Sequence, residues 1–186
     1  ADREFAQEGN TPLARLPRTA EEFAEFDLII LGDLPSGFLT DSRQELIREQ
    51  VARRGSGIVM IAGPRSMPSS WSGTPLADLL PFTGGLDLDR WGGPVLVRPT
   101  DAATRLGVLR LVVGEEAGWP EALADPSYGW SQLQWVQRIE PERLKPTAEI
   151  LAEVVPVDGD SEDATPLVLG MRYGAGQSLH VAMAEI

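Results

Sequence analysis

Ser66, His180, Asp33 and Glu185 are the residues whose chemistry and spacing point to a reaction centre. A serine attacks an acyl carbon only when a neighbouring base takes its proton, and His180 is the one histidine in the chain. A working Ser66–His180 pair requires the last strand to carry the ring to the face and height of the loop holding Ser66. Asp33 and Glu185 each follow an apolar run, so both are expected at carboxyl ends of parallel strands, where open sheets gather ligands. Two carboxylates there can share a cation, or divide acid and base work if one is held protonated. No histidine or further acid stands beside them at ligand spacing, and no metal or cofactor is expected.

Each of these residues also has a plain structural reading. His180 lies inside an apolar run and reads as a half-buried strand residue with satisfied ring nitrogens. Ser66 reads as a loop cap, and Asp33, in Gly32-Asp33-Leu34-Pro35, as a turn residue bonded to its own backbone. The acidic run Asp158 to Asp163 resembles a calcium loop, but Asp163 stands where a glycine is needed and Leu169 where a bidentate glutamate is needed. It reads as a solvated loop. Gly174-Ala175-Gly176 follows a strand without opening a helix, so it is a hairpin turn and not a nucleotide fingerprint. The five tryptophans can stack a sugar or a peptide, although large aromatics more commonly fill cores.

The elements that must position these groups are legible in part. Thr19 to Glu22 matches a capping box that opens a short helix running to Glu25. Leu28-Ile29-Ile30-Leu31 is an apolar run without alternation, as in a strand buried on both faces. Thr40 caps a second helix, Asp41 adds charge in its first turn, and Leu46, Ile47 and Val51 share a face. Gly55 supplies its left-handed exit. Ile58 to Ala62 then forms a second buried strand, and the three elements predict a right-handed parallel unit.

Thr74-Pro75 opens a short helix carrying Leu76, Leu79 and Leu80. Pro94 to Arg98, Val108 to Val112 and Glu149 to Val154 are further strand candidates. Gly114 to Arg143 reads as an excursion packed on the domain. Leu167 to Tyr173 and Gln177 to Met183 form a terminal hairpin. Ala1 to Arg18 is an irregular lead-in.

Length and composition bound the possibilities. A chain of 186 residues, 42% hydrophobic and 24% charged, suits one globular domain over 1–186. A net charge of -12 argues against phosphate-backbone binding and against an anionic membrane surface. No apolar run approaches the ~20 residues that cross a bilayer. The absence of cysteine removes disulfides, thiolate metal sites and thiol catalysis together.

The order of Phe26 to Asp33, Gly57 to Gly63, Gly73 to Pro81 and Arg172 to Gly176 resembles the class I glutamine amidotransferase-like domains. The likeness is greatest to the divergent version found in large bacterial membrane-anchored proteins of unknown function. It implies a flavodoxin-like, mostly parallel sheet with helices on both faces, here with an antiparallel hairpin at the C-terminal edge. It also implies a first strand upstream of Ala1, so that the chain is a fragment of a longer protein tethered to a membrane. Active members place a cysteine on the turn where this chain has Gly63, with Pro64 next, and a His-x-Glu pair where this chain has Met183-Ala184-Glu185. Only Glu185 remains of that machinery, and a base-orienting carboxylate without base or nucleophile cannot run acyl transfer.

The expectation is therefore a pseudoenzyme: a non-catalytic binding or scaffolding module whose partner is an unidentified protein or small molecule. Its ligand surface is expected at Asp33, Gly63, Pro64, Arg65, Ser66 and Glu185, with Trp71 beside it. The rivals are a hydrolase using Ser66 with His180 or a metal at Asp33 and Glu185, and a carbohydrate-binding module.

Overall fold

The computed structural model describes residues 7–8, 11–110, 132–157 and 163–183. The lead-in holds a small antiparallel pair, β1 (Gln7–Glu8) with β2 (Thr11–Pro12), where an irregular segment is expected. Thr19 then caps α1 (Ala20–Phe23), its hydroxyl accepting the Glu22 N–H at 3.3 Å. The Glu22 carboxylate turns back to accept from the Arg18 N–H and the Arg15 guanidinium, and the Arg15 contact holds its pKa down at about 2.

The strand–helix–strand unit forms as its local signals require. β3 (Leu28–Leu31) leads to α2 (Asp41–Arg54), which is capped by the Thr40 hydroxyl and left through Gly55 at φ 83°. β4 (Gly57–Ile61) follows and lies parallel to β3. Gln50 donates to the Ser56 hydroxyl at 2.7 Å, and Ser56 donates to the Phe26 carbonyl at 3.2 Å, tying the helix end to the root of β3.

The remaining strands are β5 (Arg90–Pro99), β6 (Gln132–Gln137), β7 (Ala148–Pro156), β8 (Thr165–Tyr173) and β9 (Gly176–Val181). Between β5 and β6 stands α3 (Asp101–Leu106), capped by Thr100 and closed by Gly107. The seven-stranded sheet runs β3-β4-β9-β8-β7-β5-β6.

This topology corrects the expected mostly parallel sheet. Only β3–β4 and β4–β9 are parallel, and the other four pairings are antiparallel. The parallel β3–β4 pair needs a long crossover, which α2 makes. β8 and β9 are joined by the tight turn at Gly174-Ala175, which makes that pair antiparallel. β5 pairs antiparallel with β6 and β7 across longer stretches of chain.

Three more expectations are corrected. Val108 to Arg110 is not strand; the chain instead forms α3 just before it, and Leu111 and Val112 lie outside the described residues. Residues 132–137 are not part of a packed excursion but extend the sheet as β6, bonded along β5. Thr74-Pro75 opens a 3-10 segment, Pro75–Leu79, rather than an α-helix.

Helices on both faces are not seen among the described residues. Register places Leu31, Met60, His180 and Leu169 in one row across the sheet, all buried. They belong to the core that also holds Ile47 and Val51 of α2 and Leu76, Leu79 and Leu80 of the 3-10 segment. The opposite row, Ile30, Val59 and Leu179, is apolar yet incompletely covered.

Candidate functional site

β3 and β4 end side by side, and the loops leaving them meet through Asp33. Its Oδ1 accepts the Ser66 N–H at 2.6 Å and the Met67 N–H at 2.8 Å, and its Oδ2 accepts the Arg65 N–H at 3.0 Å. Three converging backbone donors form an anion cradle of the kind that holds an oxyanion. Here the chain's own carboxylate fills it. Asp33 is therefore not bonded to its own turn, as the plain reading has it; its partners lie more than thirty residues along the chain.

Gly63 is the other half of this arrangement. A Cβ built on it would stand 1.9 Å from Asp33 Cγ and 2.0 Å from Asp33 Cβ. No side chain of any kind fits there while Asp33 is in place. At the position to which the amidotransferase resemblance gives a nucleophile, backbone and carboxylate are in contact.

Around this contact the loops are locked together. Trp71 is fully buried and donates its indole N–H to the Leu34 carbonyl at 2.9 Å, so it is a core pin and not a surface platform beside a crevice. The Ser36 N–H donates to the Ser70 hydroxyl at 3.1 Å. Gln137 donates from Nε2 to the Met67 carbonyl at 2.9 Å, and its backbone N–H bonds the Ala182 carbonyl. The Arg90 guanidinium donates to the Pro64 carbonyl and lies over the Trp135 ring, 5.7 Å from its centroid. Gln137 and Arg90 carry no sequence signal for this role, since each reads as an ordinary strand residue.

Of the expected ligand residues, only part remains available to a ligand. Pro64 and Arg65 are exposed and Ser66 is partly so, whereas Gly63 is buried. The Asp33 side chain is 13% exposed against 83% for Arg65, whose Nε lies 3.7 Å from Asp33 Oδ2. Glu185 lies outside the described residues, as do Trp119, Trp130 and residues 158–162 of the acidic run.

The Ser66–His180 pair is not formed. His180 pairs with Met60 and Leu169 in the middle of the buried row, below the level of the loop that carries Ser66. Its ring is fully buried, packs edge-on against Phe82 at 5.1 Å, and has no hydrogen-bond partner on either nitrogen among the described residues. Burial pushes its pKa from 6.5 down to about 3. It is neither half-buried nor satisfied, contrary to the plain reading; the apolar row on which alternation places it offers no acceptor.

A second concavity lies at the far end of the sheet. A depression of about 260 Å³ is lined by Trp91, Arg138, Val154, Pro156, Asp163 and Thr165.

No protein-family model and no curated protein matches this chain. Solved structures do. The fold is similar to that of the cytoplasmic protein STM1381 from Salmonella typhimurium LT2, with TM-score 0.60 and 22% identity, covering 91% of this chain and 65% of that one. It is similar too to the cytoplasmic protein STM3548 from Salmonella typhimurium, with TM-score 0.62, 16% identity and the same coverage of each chain. At these identities the likeness is one of fold alone. The chain spans about two thirds of either protein. Among the described residues, no helix is long and apolar enough to cross a membrane.

Proposed function

We propose that this domain is a non-catalytic binding or scaffolding module on an α/β scaffold inherited from an amidotransferase-like ancestor. It belongs to a longer, membrane-tethered bacterial protein and presents Pro64, Arg65 and Ser66 to a protein or small-molecule partner. One observation carries the reading: Asp33 takes up both the space a nucleophile at position 63 would need and the N–H donors that would hold its oxyanion. A catalyst needs those donors free for charge that develops during reaction. The absence of cysteine and the burial of His180 remove the remaining acyl-transfer chemistry.

The test is direct. Incubation with glutamine is expected to release no ammonia above buffer, and a fluorophosphonate probe is expected to leave Ser66 unlabelled by mass spectrometry. An adduct on Ser66 would instead establish the hydrolase alternative.

A carbohydrate-binding reading is favoured by the Trp91 depression, where partly exposed Trp91 lines the same hollow as Arg138 and Thr165. Saccharides stack on such rings while polar neighbours take their hydroxyls. Quenching of tryptophan fluorescence by oligosaccharides in the wild type but not in Trp91→Ala would establish it.

A further inference from the structure

The Trp91 depression is presented by a β-bulge. Trp91 pairs with Val136 of β6, and the register shifts before Gly93 meets Leu133. Gly93 stands at φ 143°, and a Cβ there would lie 3.7 Å from Trp91 Cζ2. One edge of the indole therefore rests on the backbone at Gly93, while the residue stays partly exposed. Bulges re-aim side chains in this way, and a ring fixed in advance loses little freedom when a ligand stacks on it.

Val154 and Pro156 give the hollow apolar wall, and Arg138, Asp163 and Thr165 give it polar groups. The two charges differ. Asp163 already has an interaction partner, whereas the Arg138 side chain makes no hydrogen bond or ion pair among the described residues. In a chain with 28 acidic and 16 basic residues, a guanidinium left unpaired in a hollow is a seat for an anion.

We propose that this hollow binds a single sugar ring carrying a carboxylate, a hexuronate. The proposal rests on the saccharide reading of the site and adds the charge. Trp91 stacks on one face of the ring, Arg138 takes the carboxylate as a forked pair, and Thr165 and Asp163 bond the hydroxyls. A carboxylate has about four acceptor positions, so the partner that Asp163 already has leaves room for a hydroxyl. A benzoate would suit Trp91 and Arg138 but would leave Thr165 and Asp163 desolvated without new partners, at a cost in affinity. The volume of about 260 Å³ suits one ring, just under the ~300–1,000 Å³ of pockets for drug-sized ligands. The net charge of -12 does not forbid an anion, because carboxylates farther than about 10 Å are screened at ordinary salt.

The test is calorimetric titration of the protein with sugars paired to differ only at C6: glucuronate against glucose, galacturonate against galactose, mannuronate against mannose. In at least one pair the acid is expected to bind about tenfold more tightly or better, as a charge-assisted contact provides. Arg138→Gln changes an exposed, unpaired side chain, so it should keep the wild-type melting temperature and bring acid and neutral sugar to equal affinity. A methyl glycoside of the preferred acid separates two sources: retained binding assigns the end of a polysaccharide, and lost binding assigns the free sugar acid. Equal affinities within every pair, or a preference that survives Arg138→Gln, overturn the proposal and leave the saccharide reading in place. Benzoate binding as tightly as the acid overturns it as well. Binding of none of these sugars overturns both.

Discussion

Asp33 Cγ stands 1.9 Å from the point where a Cβ on Gly63 would lie, and the same carboxylate accepts the N–H groups of Arg65, Ser66 and Met67. Contact and cradle are one device: the first excludes a side chain from the turn, and the second uses its donors. Gly63→Ala is expected to cost about 2–3 kcal/mol in urea denaturation, the range for forcing atoms into a packed site. The partner change discriminates. Asp33→Ala leaves a Cβ that would stand 2.0 Å from the new methyl and gives no relief, whereas Asp33→Gly removes it. The double variant Gly63→Ala with Asp33→Gly should therefore lose less than the sum of the singles. Additive losses would mean that the two residues are not in contact.

Asp33→Asn tests the cradle without changing volume. The amide oxygen can keep the Ser66 and Met67 bonds, but its NH2 group then faces the Arg65 N–H, and donor meets donor. Loss of one charge-assisted bond and weakening of two predicts a cost of about 2 kcal/mol. An unchanged denaturation midpoint would show that solvent satisfies these donors equally well.

His180 gives stability a specific pH dependence. Its pKa is about 3 in the folded protein against 6.5 when unfolded. Above pH 6.5 both states are neutral and stability is unaffected. As pH falls from there towards 3, the unfolded chain binds a proton that the folded one refuses, so stability is lost at about 1.4 kcal/mol per pH unit. Below about pH 3 this loss levels off. His180→Leu should remove this slope while leaving contributions from the carboxylates in place. The difference between the two stability–pH curves is the measurement, and parallel curves would refute a neutral, buried ring.

Gly174 holds the turn between β8 and β9 at φ 60°, and a Cβ there would lie 2.2 Å from the Ala52 carbonyl oxygen at the end of α2. Both the left-handed backbone and the close approach require glycine. Gly174→Ala should cost at least about 2 kcal/mol, read as a fall in melting temperature. Thr40→Ala, which removes only the cap of α2, should cost about 1 kcal/mol. An equal effect of the two would mean that the turn does not dock on the helix.

What the sequence determined by itself was local. A Thr-Asp start and a Gly exit bound α2, apolar runs marked β3 and β4, and Gly174-Ala175-Gly176 turned the final hairpin, because caps, periodicity and positive φ act over a few residues. The same Thr-Asp and Gly signals bound α3, where they are as legible but enclose only six residues. The parallel β3–β4 pair and the β8–β9 hairpin were legible too, but only the tertiary structure decided that β9 pairs with β4 and that β7, β5 and β6 follow antiparallel, that Trp71 and His180 enter the core, and that Gln137 supports Met67. Above all it decided that Asp33 turns away from its own loop to fill a cradle built by another. Such contacts join residues far apart in the chain, and their energies come from packing and desolvation that no neighbouring residue encodes.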